Sequence, residues 1–270
     1  MSLDCGFTCP NRDGSKGSGG CIFCAEGSGS FAAKGVSVSE QLEKAKALVA
    51  SKGAEKFIAY FQAYTNTYAS IERLRQLYYE AIECDDIVAI SIATRPDCLP
   101  DEVLLLLDEI NHIKPVFIEL GLQTIHTETA QYINSCFSLD EFDNAVARLQ
   151  KIGVHIIVHL ILGLPGETEE DMLESVKYVV SSGVNGIKLQ MLHVLKGTRL
   201  EKDYLTGNVP LMSLDEYEEL VAKCISLLPE DMVVHRITGD PDKKLLVAPE
   251  WCADKKKALN AINKSIRAFK

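Results

Sequence analysis

The feature that most constrains this chain is a repeated pairing of short, doubly apolar runs with longer helical patterns. The apolar runs fall at residues 56–62, 87–92, 116–124, 155–162, 186–194 and 232–237. Helical patterns follow at residues 71–83, 100–110, 139–152, 168–180, 213–228 and 254–269. A strand that is apolar on both faces needs cover on both sides, and strands joined through helices run parallel. Local signals agree with the division. Pro100 opens one helix and Gly153 follows the end of another. Thr168 with Asp171, and Ser213 with Glu216, have capping-box spacing. Six strands are visible, and a seventh is expected upstream of Cys5.

Nearly every strand runs out into polar or glycine residues, as at Ala93-Thr94-Arg95-Pro96-Asp97 and Gly163-Leu164-Pro165-Gly166. An α/β barrel, open or closed, gathers all its strand ends into one site. A doubly wound sheet would concentrate them at one switch point. The barrel is therefore the expected class. With 270 residues, 47% of them hydrophobic, the chain has enough for one large core. No linker, low-complexity tract or repeat beyond the βα unit divides it. The expectation is a single domain over 1–270, with residues 1–35 as an N-terminal loop and 232–270 as a C-terminal βα extension.

The net charge of −10 gives no general attraction to phosphate backbones, although a local basic site is compatible with it. The longest apolar run, residues 156–162, is interrupted by His159 and is too short for a membrane span. Nine cysteines, an odd number, without a signal peptide argue for a reducing cytoplasm and against a disulfide framework. Cys84, Cys98, Cys136, Cys224 and Cys252 are expected to be small buried or half-buried residues. Met1-Ser2-Leu3 runs straight into the cysteine segment, as in a chain lacking natural N-terminal residues.

The remaining four cysteines carry the chemistry. Cys5 and Cys9 lie in Asp4-Cys5-Gly6-Phe7-Thr8-Cys9-Pro10-Asn11-Arg12-Asp13-Gly14, and Cys21 and Cys24 in Gly19-Gly20-Cys21-Ile22-Phe23-Cys24. The loop between Cys9 and Cys21 has no large apolar residue with which to form a core. Two metal readings compete. A zinc site would use all four thiols in a closed tetrahedron. An iron–sulfur site on three thiolates would leave one iron open. A large barrel has no need of a zinc staple, and Phe23 would have no particular task at a zinc knuckle.

This segment resembles the cluster-binding loop of the radical S-adenosylmethionine (SAM) superfamily. It is closest to the branch shared by the Elongator catalytic subunit, the MiaB methylthiotransferases and NifB, and within it to YhcC-type proteins. The resemblance extends through residues 60–68, 91–97, 119–124 and 159–167, and through His235-Arg236-Ile237-Thr238-Gly239-Asp240. It implies an α/β fold of the partial (β/α)6 radical SAM barrel type. It also implies a [4Fe–4S] cluster on Cys9, Cys21 and Cys24, with Cys5 a spare thiol. SAM would bind the fourth iron and be cleaved reductively to methionine and a 5′-deoxyadenosyl radical, which takes a hydrogen atom from substrate. The implied partners are SAM and a one-electron reductant protein of flavodoxin or ferredoxin type.

The same resemblance gives expectations for SAM contacts. Phe23 would pack on adenine, and the stretch from Gln62 to Asn66 would meet the methionine amino group. Ser91 and Thr94 offer hydroxyls to carboxylate or ribose. Arg95 is a natural carboxylate partner, with an ion pair to Asp97 as the competing reading. Glu119 and Gln123 share a strand face at i and i+4. Glu119, pointing inward, needs a ribose diol, Arg95 or Lys188. His159 faces inward, and Gly163 and Gly166 allow close backbone approach. Lys188, His193, Lys196 and Thr198 cluster on the next strand and its exit, and Arg236 and Asp240 close the ring. His112, His126 and His155 are expected at the surface or at helix ends, and Trp251 is expected to pin the last helix.

The chain departs from its relatives at Ile133-Asn134-Ser135-Cys136-Phe137, where they commonly carry Ile-Asn-Arg-Gly-His. That leaves the substrate open. The alternatives are a tRNA-modifying enzyme, by analogy with the Elongator and methylthiotransferase relatives, and a non-catalytic scaffold bearing zinc or a cluster. The acidic balance weighs against the first.

Overall fold

The computed structural model describes residues 1–25 and 37–269. Residues 26–35 of the expected N-terminal loop lie outside the described residues. In chain order the elements are β1 (Ser2–Leu3), α1 (Val38–Val49), β2 (Phe57–Phe61), α2 (Ile71–Ile82), β3 (Ile87–Thr94), α3 (Asp101–Asn111), β4 (Val116–Gln123), α4 (Thr127–Tyr132), α5 (Leu139–Lys151) and β5 (His155–Leu162). They continue with α6 (Glu169–Ser181), β6 (Gly186–Met191), β7 (Val194–Leu195), α7 (Arg199–Leu205), α8 (Leu214–Ser226), β8 (Val233–Arg236), β9 (Leu246–Ala248) and α9 (Lys255–Phe269).

Two compact units divide the described residues. The first takes residues 1–16, 37–121 and 137–157, and the second residues 17–25, 122–136 and 158–269. Seven of the described strands belong to one sheet, and β7 and β9 form a separate pair.

In the first unit the strand order is β1-β2-β3-β4, and each pairing is parallel. The expected strand upstream of Cys5 is β1, with Leu3 in register with Phe61. Seven of the eight residues of β3 are buried or half-buried, as a strand covered on both faces requires. Helix α2 covers the unit with Leu74, Tyr78, Ala81 and Ile82, a single stripe at helical spacing. Leu74 and Tyr78 are fully buried, and each such side chain contributes about 2 kcal/mol of apolar transfer. Ser138 and Glu141 close a capping box at the start of α5. Pro100 stands one position earlier than expected, as the N-cap residue of α3.

In the second unit the order is β5-β6-β8, and β6 and β8 are parallel. Capping boxes at Thr168–Asp171 and Ser213–Glu216 start α6 and α8 as expected. The strand expected over 186–194 is shorter. It stops at Met191, and Val194–Leu195 turns away to pair antiparallel with β9. Just past Met191 the Leu192 amide still donates to Leu162 O, at 2.9 Å. Trp251 stands in the turn that leads directly into α9. Its indole donates to Met212 O at 3.0 Å and its ring lies against Tyr217, so it ties the last segment to the start of α8. No helix among the described residues is long and apolar enough to cross a membrane.

Candidate active site

In the first unit the chain doubles back immediately after Cys9. The Cys9 carbonyl accepts from the amides of Arg12 (2.8 Å) and Asp13 (3.2 Å). The Thr65 amide donates to Thr8 O, which ties this turn to the end of β2. Cys9 is half-buried. Cys5 differs in its surroundings: burial, with Asp4 adding to it, pushes its thiol up to about 12. A thiol held protonated in this way is a poor metal ligand. The Cys5 carbonyl is used instead, accepting from the Arg73 guanidinium at 2.6 Å, while Arg73 packs over Phe7.

The strand ends of this unit carry three polar groupings. Glu119 is buried at 5% exposure. Its Oε2 accepts from the Tyr60 hydroxyl at 2.5 Å and its Oε1 from the Ser91 hydroxyl at 2.8 Å. The adjacent registers Tyr60↔Ser91 and Ala93↔Glu119 bring these groups together. Thr94 shares a hydrogen bond with Thr67, whose hydroxyl also reaches Cys98 O. Arg95 holds Asp97 with two parallel hydrogen bonds of 2.9 Å, so the ion-pair reading of Arg95 is the observed one. Its guanidinium also lies over the Phe137 ring.

The third grouping is centred on Asn66, which is fully buried. Its amide nitrogen donates to Ala93 O at 2.9 Å and Tyr64 O at 3.4 Å. Both contacts need a donor, so the amide cannot be turned over without losing them. That leaves Oδ1 buried with no hydrogen-bond partner. Such an orphaned acceptor costs about 1–3 kcal/mol unless a ligand donor meets it. Gln62, nearby in sequence, is half-buried. Tyr64 sits at φ 63°, a left-handed turn just past β2.

In the second unit the Cys21–Cys24 stretch is anchored by the residue between the thiols. Ile22 is buried at 3% among Ile133, Ile161, Leu164 and Leu200, with Phe23 packed on the same cluster. Its amide donates to Ile133 O at 3.1 Å, and its carbonyl accepts from Leu200 N at 3.0 Å. The Cys24 amide closes a turn onto Cys21 O at 3.0 Å. Both cysteines are half-buried on either side of this plug. Asn134, at φ 59°, donates its side-chain amide to Gly20 O at 2.9 Å. Ile133 and Asn134, two of the residues that hold the cysteine turn, immediately precede Ser135-Cys136-Phe137, the positions where a departure from the relatives was expected.

The other expected contacts are distributed differently. Gln123 is the last residue of β4 and leaves the extended backbone on which the shared face with Glu119 was argued. Its φ of 73° ends the strand alternation. Gly163, at φ 85°, has Met212 3.3 Å from where a Cβ would stand, so its bare face meets a methionine. Lys188 is buried and His159 half-buried. Lys196 is exposed at the end of β7, its amide bonded to Leu245 O. Thr198 caps α7 by accepting from Glu201 N. Burial holds the His193 imidazole below its usual range. His126 stands at a helix end, as expected, in the N-cap position of α4, and its Nε2 lies 2.8 Å from Asp171 O.

Sequence reasoning missed Tyr60 as the partner of Glu119, Lys16 as a partner of Asp97, and Asn134 as a brace for the cysteine turn. The last had a signal: asparagine is one of the few residues that readily adopts a left-handed turn at a helix end.

Residues 9–179 match the family described as the radical SAM superfamily, and residues 184–268 match the radical SAM C-terminal domain. The chain is 44% identical to the uncharacterized protein YtqA of Bacillus subtilis (strain 168), over 98% of this chain and 84% of that protein. It is 38% identical to protein YhcC of Escherichia coli (strain K12), over 94% and 82%. Among solved structures, the archaeal Elp3 of Methanocaldococcus infernus aligns with a TM-score of 0.70 at 18% identity, covering 86% of this chain and 59% of that one. Methylornithine synthase (PylB) aligns over the whole chain and 80% of its own, with a TM-score of 0.57 at 15% identity. These two likenesses give the fold as the partial α/β barrel expected from the sequence.

Proposed function

The chain belongs to the radical SAM superfamily, and from that premise we propose that it is an enzyme holding a [4Fe–4S] cluster on Cys9, Cys21 and Cys24 and cleaving SAM reductively. When bound, the cluster would supply the electron that splits SAM to methionine and a 5′-deoxyadenosyl radical, the species that takes hydrogen from substrate. The observation that carries this reading is the cysteine turn itself. Ile22 is buried and hydrogen-bonded on both sides, which fixes the backbone while leaving two half-buried thiols beside it. A preset turn of this kind suits a metal group that needs thiolates at fixed positions.

The residues fit the group and its co-substrate. The desolvated Cys5 thiol is unsuited to be a fourth ligand, and a three-thiolate cluster keeps one iron free for SAM. Asn66 Oδ1, buried without a partner, is a ready acceptor for the methionine ammonium. Tyr60 and Ser91 each bond one oxygen of Glu119 and fix its plane at the strand ends, where a ribose hydroxyl is a suitable partner. Phe23 offers a ring face for adenine. Gln62, Thr94, His159 and Lys188 complete the polar strand ends. Arg95, committed to Asp97, acts as a positioning residue and not as the carboxylate clamp. A reductant protein of flavodoxin or ferredoxin type in the cytoplasm would deliver the electron.

Anaerobic reconstitution tests the reading. About four iron and four sulfide per chain are expected, with 5′-deoxyadenosine formed from SAM on addition of dithionite. Stoichiometric zinc with near-zero iron, or no 5′-deoxyadenosine above a Cys9→Ala control, overturns it. Raised SAM dissociation constants in Asn66→Ala and Glu119→Gln, at unchanged iron content, test the two contact assignments.

A further inference from the structure

The motif His235-Arg236-Ile237-Thr238 has no part in the function proposed above, yet in the second unit it lines a cavity of about 580 Å³. Five consecutive residues from Val234 to Thr238 form one wall. Val234, His235 and Arg236 belong to β8, where successive residues point to opposite faces, and Ile237 and Thr238 follow its end, so the groove runs along the strand and not across one face. Strand β8 stands last in the sheet order and pairs with β6 alone among the described residues. Val233 is 54% exposed and Val234 37%. The groove therefore follows the outer side of an edge strand, which has no second strand beside it among the described residues.

Helix α9 forms the opposite wall with Lys255, Leu259, Asn263 and Ile266. This stripe recurs at i, i+4, i+8 and i+11. One residue further along each step lie Lys256, Asn260, Lys264 and Arg267, so a second stripe runs beside the groove, all four residues exposed. It is about 16 Å long at the helical rise. Helix α9 has five cations and no acid, in a chain of net charge −10. Lys256, Lys264 and Arg267 form no ion pair among the described residues, and Arg236 adds a further cation from the strand side. Between these cations Ile225, Ile237, Leu259 and Ile266 present half-exposed aliphatic surface.

We propose that this groove binds an extended polypeptide segment with alternating acidic and apolar residues, added as a strand along the β8 edge. Alternate residues of an extended chain lie about 6.6 Å apart on one side. Steps of four residues on α9 are about 6 Å apart. Acids on one side of the segment thus meet the Lys256–Arg267 stripe while its apolar side meets the aliphatic walls. The outer side of the edge strand supplies the main-chain hydrogen bonds of strand addition. A nucleic-acid strand would also meet the cations, but its bases stack on aromatic rings, and the lining residues include no Phe, Tyr or Trp.

The test is fluorescence anisotropy with the full chain and a labelled twelve-residue peptide alternating Glu and Val. The comparators are the Lys/Val counterpart and a ten-nucleotide oligouridylate. Saturable binding of the Glu/Val peptide is expected, at least tenfold tighter than its Lys/Val counterpart. It should weaken at least tenfold in the triple variant Lys256→Glu, Lys264→Glu, Arg267→Glu, whose unchanged circular dichroism reports an intact fold. A second variant, Ile266→Ser, should weaken it without altering charge. The proposal is overturned by absence of saturable Glu/Val binding up to about 1 mM. It is equally overturned by binding that survives the triple charge reversal, or by oligouridylate binding tighter than the peptide with the same sensitivity to that reversal. None of these readings depends on iron or SAM.

Discussion

Lys16 Nζ lies 2.8 Å from Asp97 Oδ2, a carboxylate with no exposed surface of its own. Arg95 holds the same carboxylate through two hydrogen bonds, and Lys16 also reaches Glu141 at 3.3 Å. The segment that follows Cys9 is thereby fastened to the exit of β3 and the first turn of α5. Burial raises the Asp97 carboxyl, but the hydrogen bonds and charges of Arg95 and Lys16 outweigh it and hold the group below its ordinary value of 3.8. Its contribution to stability is complete above that value and disappears as pH falls through the lower, folded one. Asp97→Asn should cost about 3 kcal/mol at pH 7, because it leaves the buried Arg95 guanidinium without its counter-charge. In urea titrations the gap between wild type and variant should close as pH falls below 3.8. A gap independent of pH would mean that the charge is not what matters. Lys16→Met, on a half-exposed side chain, should cost about 0.5 kcal/mol.

Ile22→Ala empties the plug beneath the cysteine turn. A loss of about 3 kcal/mol is expected for a buried isoleucine. Iron retained after chelator challenge should fall with it, while Phe23→Leu, which keeps the packing volume nearby, should retain iron. Thermal unfolding and iron assay check both.

Asn134 combines a left-handed backbone with a side-chain bond to Gly20 O, and two substitutions separate these roles. Asn134→Gly keeps the backbone and removes the bond, for about 1 kcal/mol. Asn134→Ala removes the bond and adds backbone strain, for about 1 kcal/mol more. Equal effects in chemical denaturation would show that the left-handed turn relaxes.

Cys5→Ala should load as much iron as wild type, since its thiol is desolvated and its carbonyl does the structural work. Cys9→Ala, Cys21→Ala and Cys24→Ala should each lose the greater part of it. The comparison is an iron and sulfide assay after anaerobic reconstitution.

Tyr60→Phe and Ser91→Ala each free one oxygen of Glu119, at about 1 kcal/mol apiece. Because both act on one carboxylate, the double variant should depart from additivity by at least about 0.5 kcal/mol. Urea denaturation of the four forms measures this directly.

The parallel strands and main helices were legible because their burial is written in apolar runs, from Ile87 through Ile90 for example. The capping boxes were legible because they depend on residues three apart. The break at Met191 was not. Leu192, Val194 and Leu195 remain apolar, and what diverts the chain is pairing with residues 246–248, invisible to any local window. Helices α1, α4 and α7 were passed over. Two of them are shorter than eight residues and hold their place by packing. Gln123 misled the i, i+4 argument because alternation presumes extended backbone, and a left-handed residue at the strand end violates that premise. Arg95 offered two partners of equal chemical merit, and only coordinates could choose between them.

The two bonds of Ile22 carry an implication for the order of events during synthesis. The ribosome delivers Cys21 and Cys24 early, whereas Ile133 and Leu200, which grip the residue between them, emerge far later. Until both have appeared the thiols sit on an untethered leader whose spacing is unrestrained. Loading of inorganic cofactor is accordingly expected after translation, once Ile133 and Leu200 have set the turn between the two thiols.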